Sequence, residues 1–210
     1  LALHVANVCA NGRRLGPCSR VLCITYTNIG LRQLADRLGT AVGQVECATI
    51  HSFLYSHVVA PYVHLLNDDD GRPLVDHTRM DGHEEHMPHY SKVAEWLAGV
   101  APRVTLGQFD ETERQLIWEF LQSLVWDPQD GDSRWQLRTP RKRRPPTYFP
   151  SAPEKLSSYK RLYWRSGIID HDDVLRLACD LLERFPLLRD AIVARFPYIV
   201  VDEFQDTTAK

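Results

Sequence analysis

The sequence predicts an α/β fold built on a parallel sheet and interrupted by a mainly helical inserted subdomain. Two apolar runs of strand length, Val21–Ile24 and Tyr198–Val201, show no polar alternation, as expected of strands buried on both faces. Helical stripes lie between and beside such runs, and strands that alternate with helices build parallel sheets. From about Pro61 the pattern changes to helices and polar loops, and the α/β alternation returns only near the C-terminal end.

The elements follow in order. In "LALHVANVCANG", Leu1, Val5, Val8 and Cys9 recur at helical spacing, and Gly12 stops the helix. "RVLCITYTN" is a strand whose carboxyl edge is Thr25, Tyr26, Thr27 and Asn28; "IGLRQLADRLG" is a helix with Leu31, Leu34, Ala35 and Leu38 on one face. A short strand at about Val45–Ala48 runs into Thr49, His51 and Ser52 at the entry to another helix. Asp110 and Glu113 form a capping box ahead of Leu116, Ile117, Phe120, Leu121 and Leu124. The Pro-rich, basic stretch from Asp127 to Lys155 reads as an exposed loop. Val174, Leu177, Ala178, Leu181, Leu182 and Phe185 form a stripe that Pro186 breaks, and a short helix precedes the last strand. The expected organisation is core 1–61, insertion 62–160 and return to the core 161–210.

The 210 residues are 44% hydrophobic and 25% charged, with a formal net charge of −2, so any nucleic-acid role needs local basic patches rather than overall charge. Five cysteines without C-x-x-C spacing fit a reducing compartment, cytoplasmic (nucleoid-associated) or nuclear. No apolar run is long enough for a membrane span. The chain opens without Met, in mid-helix, and stops soon after a strand, so it is expected to be a fragment.

The chemistry concentrates at "VVDEFQDT", Val200–Thr207. Ligands of open parallel sheets sit beyond the carboxyl ends of the strands. A strand that delivers Asp202 and Glu203 there places one carboxylate to hold hydrated Mg²⁺ against phosphates and another to activate water. The hydroxyl, amide, imidazole and aromatic groups of Thr25, Tyr26, Thr27, Asn28, His51 and Ser52 suit phosphate contacts and base stacking.

With these residues in view, the chain resembles the nucleotide-binding domain of superfamily-one DNA helicases of the UvrD/Rep/PcrA type. "VVDEFQDT" is similar to their motif II, "TYTN" (Thr25–Asn28) to their TFTN, "TIHSF" (Thr49–Phe53) to their TFHSF, and "GIIDHDDVL" (Gly167–Leu175) to their GLIDFDDLL. The resemblance implies an incomplete P-loop NTPase (RecA-like) core that binds ATP and Mg²⁺. It implies Asp202 as metal ligand, Glu203 as catalytic base, and Gln205 and Asp206 as nucleotide-side residues that couple to the DNA side. It assigns Thr25, Tyr26, Thr27, Asn28, His51 and Ser52 to the DNA track. Implied partners are single-stranded DNA, single/double-strand junctions and the remaining helicase domains of the same chain, with no membrane. The sequence departs from the family where Ile29, Gly30 and Leu31 replace Lys-Ala-Ala and His171 replaces an aromatic, and no G-x-x-x-x-G-K-[ST] loop occurs in it.

The expected function is part of an ATP-dependent helicase or translocase in DNA repair or replication, inactive as a fragment. The alternative is a catalytically dead single-stranded DNA-binding or interaction module that keeps the fold. Three further clusters compete for attention. "HEEHMPH" spaces His83, His86 and His89 three apart, a potential metal set, but Pro88 interrupts a helix and a solvated loop is the expectation. "HDD" (His171–Asp173) reads as acidic residues at a helix start. "RTPRKRRPP" carries five cations in nine residues, either a duplex-backbone contact, a nuclear address or a solvated loop.

Overall fold

The computed structural model describes residues 2–25, 30, 32, 36, 43–128, 135–138 and 145–202. The mixed α/β architecture is as the sequence predicts. The chain divides into two compact units, Leu1–Pro61 with Ala178–Ala209, and Tyr62–Leu177.

The first unit is built on a three-stranded parallel sheet. Its strands are β1 (Val21–Thr25), β2 (Val45–Thr49) and β5 (Tyr198–Val201), in the order β2-β1-β5. Val21 pairs with Val45 on one side and Tyr198 on the other, and the register runs on to Thr25 opposite Thr49 and Ile24 opposite Val201. Side-chain alternation then sorts the core into two layers. Val21, Cys23 and Val45 pack with Val5 of α1 (Ala2–Asn11) on one face, joined by Cys9, Cys47 and Val200. Leu22 packs with Phe53 and Phe196 on the other, where α2 (Ile50–Leu54) and α7 (Pro186–Arg195) supply Leu54 and Ile192. Each fully buried Val, Leu or Phe is worth about 1.5–3 kcal/mol. Gly12 ends α1 as expected: its amide donates to the Val8 carbonyl at 2.8 Å, and a Cβ there would meet that oxygen at 2.5 Å and the Tyr198 ring at 3.1 Å.

The chain after α2 stays helical but changes pitch. A π turn, Tyr55–Val59, is closed by the Ala60 amide donating to the Tyr55 carbonyl. Pro61 has no N–H to continue the ladder. His57 within this turn pairs with Glu46 of β2, and its ring lies 5.0 Å from Phe53 and 5.1 Å from Phe196. The helix expected after Thr27 falls largely outside the described residues; Gly30, Arg32 and Asp36 are helical.

The second unit contains α3 (Tyr90–Val100), α4 (Glu111–Gln122), α5 (Pro153–Trp164) and the start of α6 (His171–Arg184). The Asp110–Glu113 capping box is present in both directions, at 2.8 and 3.1 Å. Ile117, Phe120, Leu121 and Leu124 are buried as the stripe requires, whereas Leu116 lies at its exposed margin. The stretch expected as an exposed loop holds an antiparallel pair, β3 (Val125–Pro128) with β4 (Trp135–Arg138), and ends on buried Phe149. Trp126 and Leu137 face each other across this pair and are both buried, which draws four-residue strands out of an otherwise turn-like composition. Gly167 turns the chain between α5 and α6 at φ 76°, with its Cβ position 2.7 Å from the Arg79 backbone. Among the described residues no helix is long and apolar enough to cross a membrane.

Candidate functional site

The three parallel strands end level, and this sets the candidate site. Thr25 ends β1, with its Cα partner Thr49 ending β2. On the other side the Asp202 amide donates to the Ile24 carbonyl at 2.9 Å, carrying the pairing one residue past β5. Thr49, Thr25 and Asp202 therefore form one row along the carboxyl edge of the sheet. Thr25 is buried, and Asp202 is half-buried. The apolar strand β5 carries the half-buried Asp202 to the rim of the sheet.

Thr49 has a second task. Its hydroxyl oxygen accepts from the Ser52 amide at 3.2 Å and its hydroxyl donates to Ser52 Oγ at 2.9 Å, which makes it the N-cap of α2. The cap fixes how the strand turns into the helix and presents half-buried His51 and exposed Ser52 at its head. Four of the sequence-derived candidates, Thr25, His51, Ser52 and Asp202, thus lie at one edge of the first unit. Tyr26, Thr27, Asn28, Glu203, Gln205 and Asp206 lie outside the described residues. Among the described residues no group of three or more His, Cys, Asp or Glu is arranged to hold a metal ion. Asp202, a half-buried carboxylate at this edge, is an oxygen donor of the kind that fits Mg²⁺.

Beneath the same edge three thiols cluster. Cys23 and Cys47 are cross-strand partners and Cys9 packs against them from α1. Burial, with Cys47 beside it, pushes the Cys23 thiol up to about 12, so it is an inert core group.

The second unit contains a charged cluster that sequence reasoning missed. Lys160 of α5 is fully buried; it pairs with Asp170 and lies 3.2 Å from Asp173. Burial disfavours its ammonium, but the Asp173 and Asp170 carboxylates outweigh that and hold its pKa above the ordinary lysine value. Burial acts on Asp170 as well, yet Lys160 and His86 hold its carboxyl below the usual range. Asp173, buried beside Asp170, is pushed up. The two aspartates also cap α6, Asp170 accepting from the Asp173 amide at 3.0 Å and Asp173 from the Asp170 amide at 3.1 Å. Trp126 Nε1 donates to Asp173 at 2.7 Å.

The stretch with the three histidines is a loop with Glu84, Glu85 and His89 exposed, as expected, but the expectation of solvation is corrected for His86. His86 is largely buried, 3.3 Å from Asp170 and 2.9 Å from the Tyr159 hydroxyl, and the His89 amide donates to the Tyr163 hydroxyl at 2.8 Å. His83 meets His171 ring to ring, Nδ1 to Nδ1, at 2.8 Å. The acidic residues at His171–Asp173 do start a helix, but Asp173 is there as the partner of a buried lysine. A signal existed: Lys160 occupies the apolar stripe of α5, four residues from Leu156 and Trp164, where a lysine must bring its own countercharge. Of the basic stretch Arg138–Pro146, Arg138 pairs with Asp127 at 2.7 Å, and 139–144 lie outside the described residues.

Comparison with known proteins agrees with the geometry. A curated relative, the Gabija protein GajB of Bacillus cereus (strain HuB5-5), is 20% identical over 235 aligned positions, covering 91% of this chain and 31% of the relative. The chain thus spans about a third of the length of that relative. Residues 11–210 match the family described as the UvrD/REP helicase N-terminal domain. With a parallel sheet that carries Asp202 to its carboxyl edge and a family match over nearly its whole length, the chain belongs to the UvrD/REP helicase N-terminal domain family.

Proposed function

We propose that the chain is the nucleotide-binding part of an ATP-dependent DNA helicase or translocase that moves on single-stranded DNA and acts in DNA repair or replication. The observation that carries this reading is the shared edge of Asp202, Thr25 and the Thr49-capped head of α2. Along that edge Asp202 lies one strand spacing from Thr25 and two from Thr49 at the head of α2, which supports a nucleotide-side carboxylate acting beside groups suited to nucleic acid.

In this proposal Glu203 takes the proton of the attacking water, and Asp202, half-buried at the strand end, serves as the metal-side carboxylate. Mg²⁺, when bound with ATP, neutralises developing phosphate charge. Gln205 and Asp206 relay the state of the nucleotide toward the DNA side. Tyr26 stacks on a base, while Thr25, Thr27, Asn28, His51 and Ser52 hold the strand through its phosphates and sugars. Because β1 ends in Thr25 and continues into Tyr26, a shift of the sheet edge with nucleotide state reaches the DNA contacts directly. Residues 1–61 and 161–210 make up the core in this proposal, and 62–160 the inserted subdomain.

The test uses the full-length protein. DNA-stimulated ATP hydrolysis is measured for Glu203→Gln and Asp202→Asn, with single-stranded DNA affinity measured in parallel. The reading requires turnover to fall about 10²–10⁴-fold for Glu203→Gln while DNA still binds. Unchanged turnover in both variants would reject it, and DNA binding without any nucleotide dependence would favour a catalytically dead binding module.

A further inference from the structure

We infer that the opposite edge of the same sheet carries a binding site for a phosphate-bearing ligand. The residues just ahead of the three strands enclose a cavity of about 460 Å³, walled by the Gly12–Arg20 turn, by Gly43 and Gln44 before β2, and by Arg195 at the end of α7. Thr25, Thr49 and Asp202 close the other ends of these strands, so this cavity is separate from the site described above.

Its chemistry is one-sided. The Arg20 amide donates to the Arg195 carbonyl at 2.8 Å, which holds the two arginines side by side at the rim. An adjoining cavity of about 440 Å³ shares Gly16, Cys18 and Arg195 and adds Arg14. No carboxylate lines either cavity. Among the described residues Arg14, Arg20 and Arg195 have no acidic partner, in a chain whose net charge is −2. Arg20 and Arg195 line the first cavity and Arg14 and Arg195 the second, so the two adjoining hollows carry cations alone, which raises the local positive potential and favours a bound anion. Guanidinium forks match the oxygens of phosphate, and cavities of about 300–1,000 Å³ accommodate small ligands. Folding back of Gly16 onto Ser19, whose Oγ accepts the Gly16 amide at 2.6 Å, shapes the turn that forms the wall.

The phosphate could come from a free nucleotide or pyrophosphate, or from a nucleic-acid backbone. Cys18 is exposed and lines both cavities, so its reactivity reports their occupancy. In the full-length protein, the alkylation rate of Cys18 by iodoacetamide is followed by peptide mass spectrometry, with pyrophosphate, ADP or a single-stranded oligonucleotide added in turn. At least about fivefold protection is expected from one of them. Protection by pyrophosphate and ADP identifies the free source; protection by the oligonucleotide alone identifies the backbone. It should disappear in Arg20→Gln and Arg195→Gln and persist in Arg189→Gln, which lies on α7 outside both cavities. Protection should also survive Asp202→Asn, which separates this site from the nucleotide edge. Equal rates with all three probes, protection that survives both arginine variants, or protection abolished by Asp202→Asn would each overturn the inference.

Discussion

The Lys160 ammonium lies 3.2 Å from a carboxylate oxygen of Asp173, with both side chains removed from solvent. Asp170 completes the arrangement, and α5 is tied through it to the first turn of α6. Removing the cation leaves two acids in a dry environment. Lys160→Met should therefore destabilise the protein by about 3–5 kcal/mol, the cost of breaking one side of a buried pair. Chemical denaturation measures it. The double variant Lys160→Met with Asp173→Asn should recover part of the loss; no recovery would mean that packing, not charge, dominates.

Thr49 connects the sheet to the head of α2 through its hydroxyl. Thr49→Ala should cost about 0.5–2 kcal/mol, as loss of an N-cap does, whereas Thr49→Ser should cost less than half as much. On the proposed DNA-track role of His51 and Ser52, Thr49→Ala in the full-length protein should also weaken single-stranded DNA binding, because those residues lose their fixed start. Equal stability of the alanine and serine variants would remove the capping argument.

His83 faces His171 and is partly buried, and burial followed by the His171 charge holds its pKa below the ordinary 6.5. A histidine with a depressed folded pKa binds fewer protons than in the unfolded chain. Its contribution to stability is complete above pH 6.5 and is lost as pH falls below it. Melting temperature followed downward from pH 7.5 should therefore drop more steeply for the natural protein than for His83→Gln. Parallel curves would show that this contact does not titrate.

Tyr26 follows directly on buried Thr25, at the carboxyl end of β1. If it stacks on a base, Tyr26→Ala should weaken single-stranded DNA binding by about 1–3 kcal/mol, and Tyr26→Phe should retain most of the affinity. Fluorescence anisotropy with a labelled oligonucleotide distinguishes the two. Equal loss in both variants would shift the role from ring to hydroxyl.

Much of the first unit was readable from the chain alone, because its signals are local. The uninterrupted apolar run at Val21 identifies a strand buried on both faces. The run at Tyr198 instead forms a parallel strand at the end of the described sheet with Ile199 55% exposed, which corrects the expectation of burial on both faces. Gly12 and Pro186 mark helix ends, and in the second unit the Asp110–Glu113 spacing likewise predicts a reciprocal cap. The motif strings at Thr25, Thr49 and Val200 point to a shared sheet edge, since ligand sites in such sheets gather beyond the strand ends. What no local signal carries is the partner of a buried charge. Lys160 meets Asp170 and Asp173, His86 turns its ring inward from its loop to Asp170 and Tyr159, and Trp126 with Leu137 makes strands of a turn-rich stretch. Arg20 and Arg195, 175 positions apart by number, become neighbours only when β1 and β5 pair. Periodicity and caps are read from residues within a few turns of one another, whereas desolvation and charge pairing depend on which distant segments close around a group.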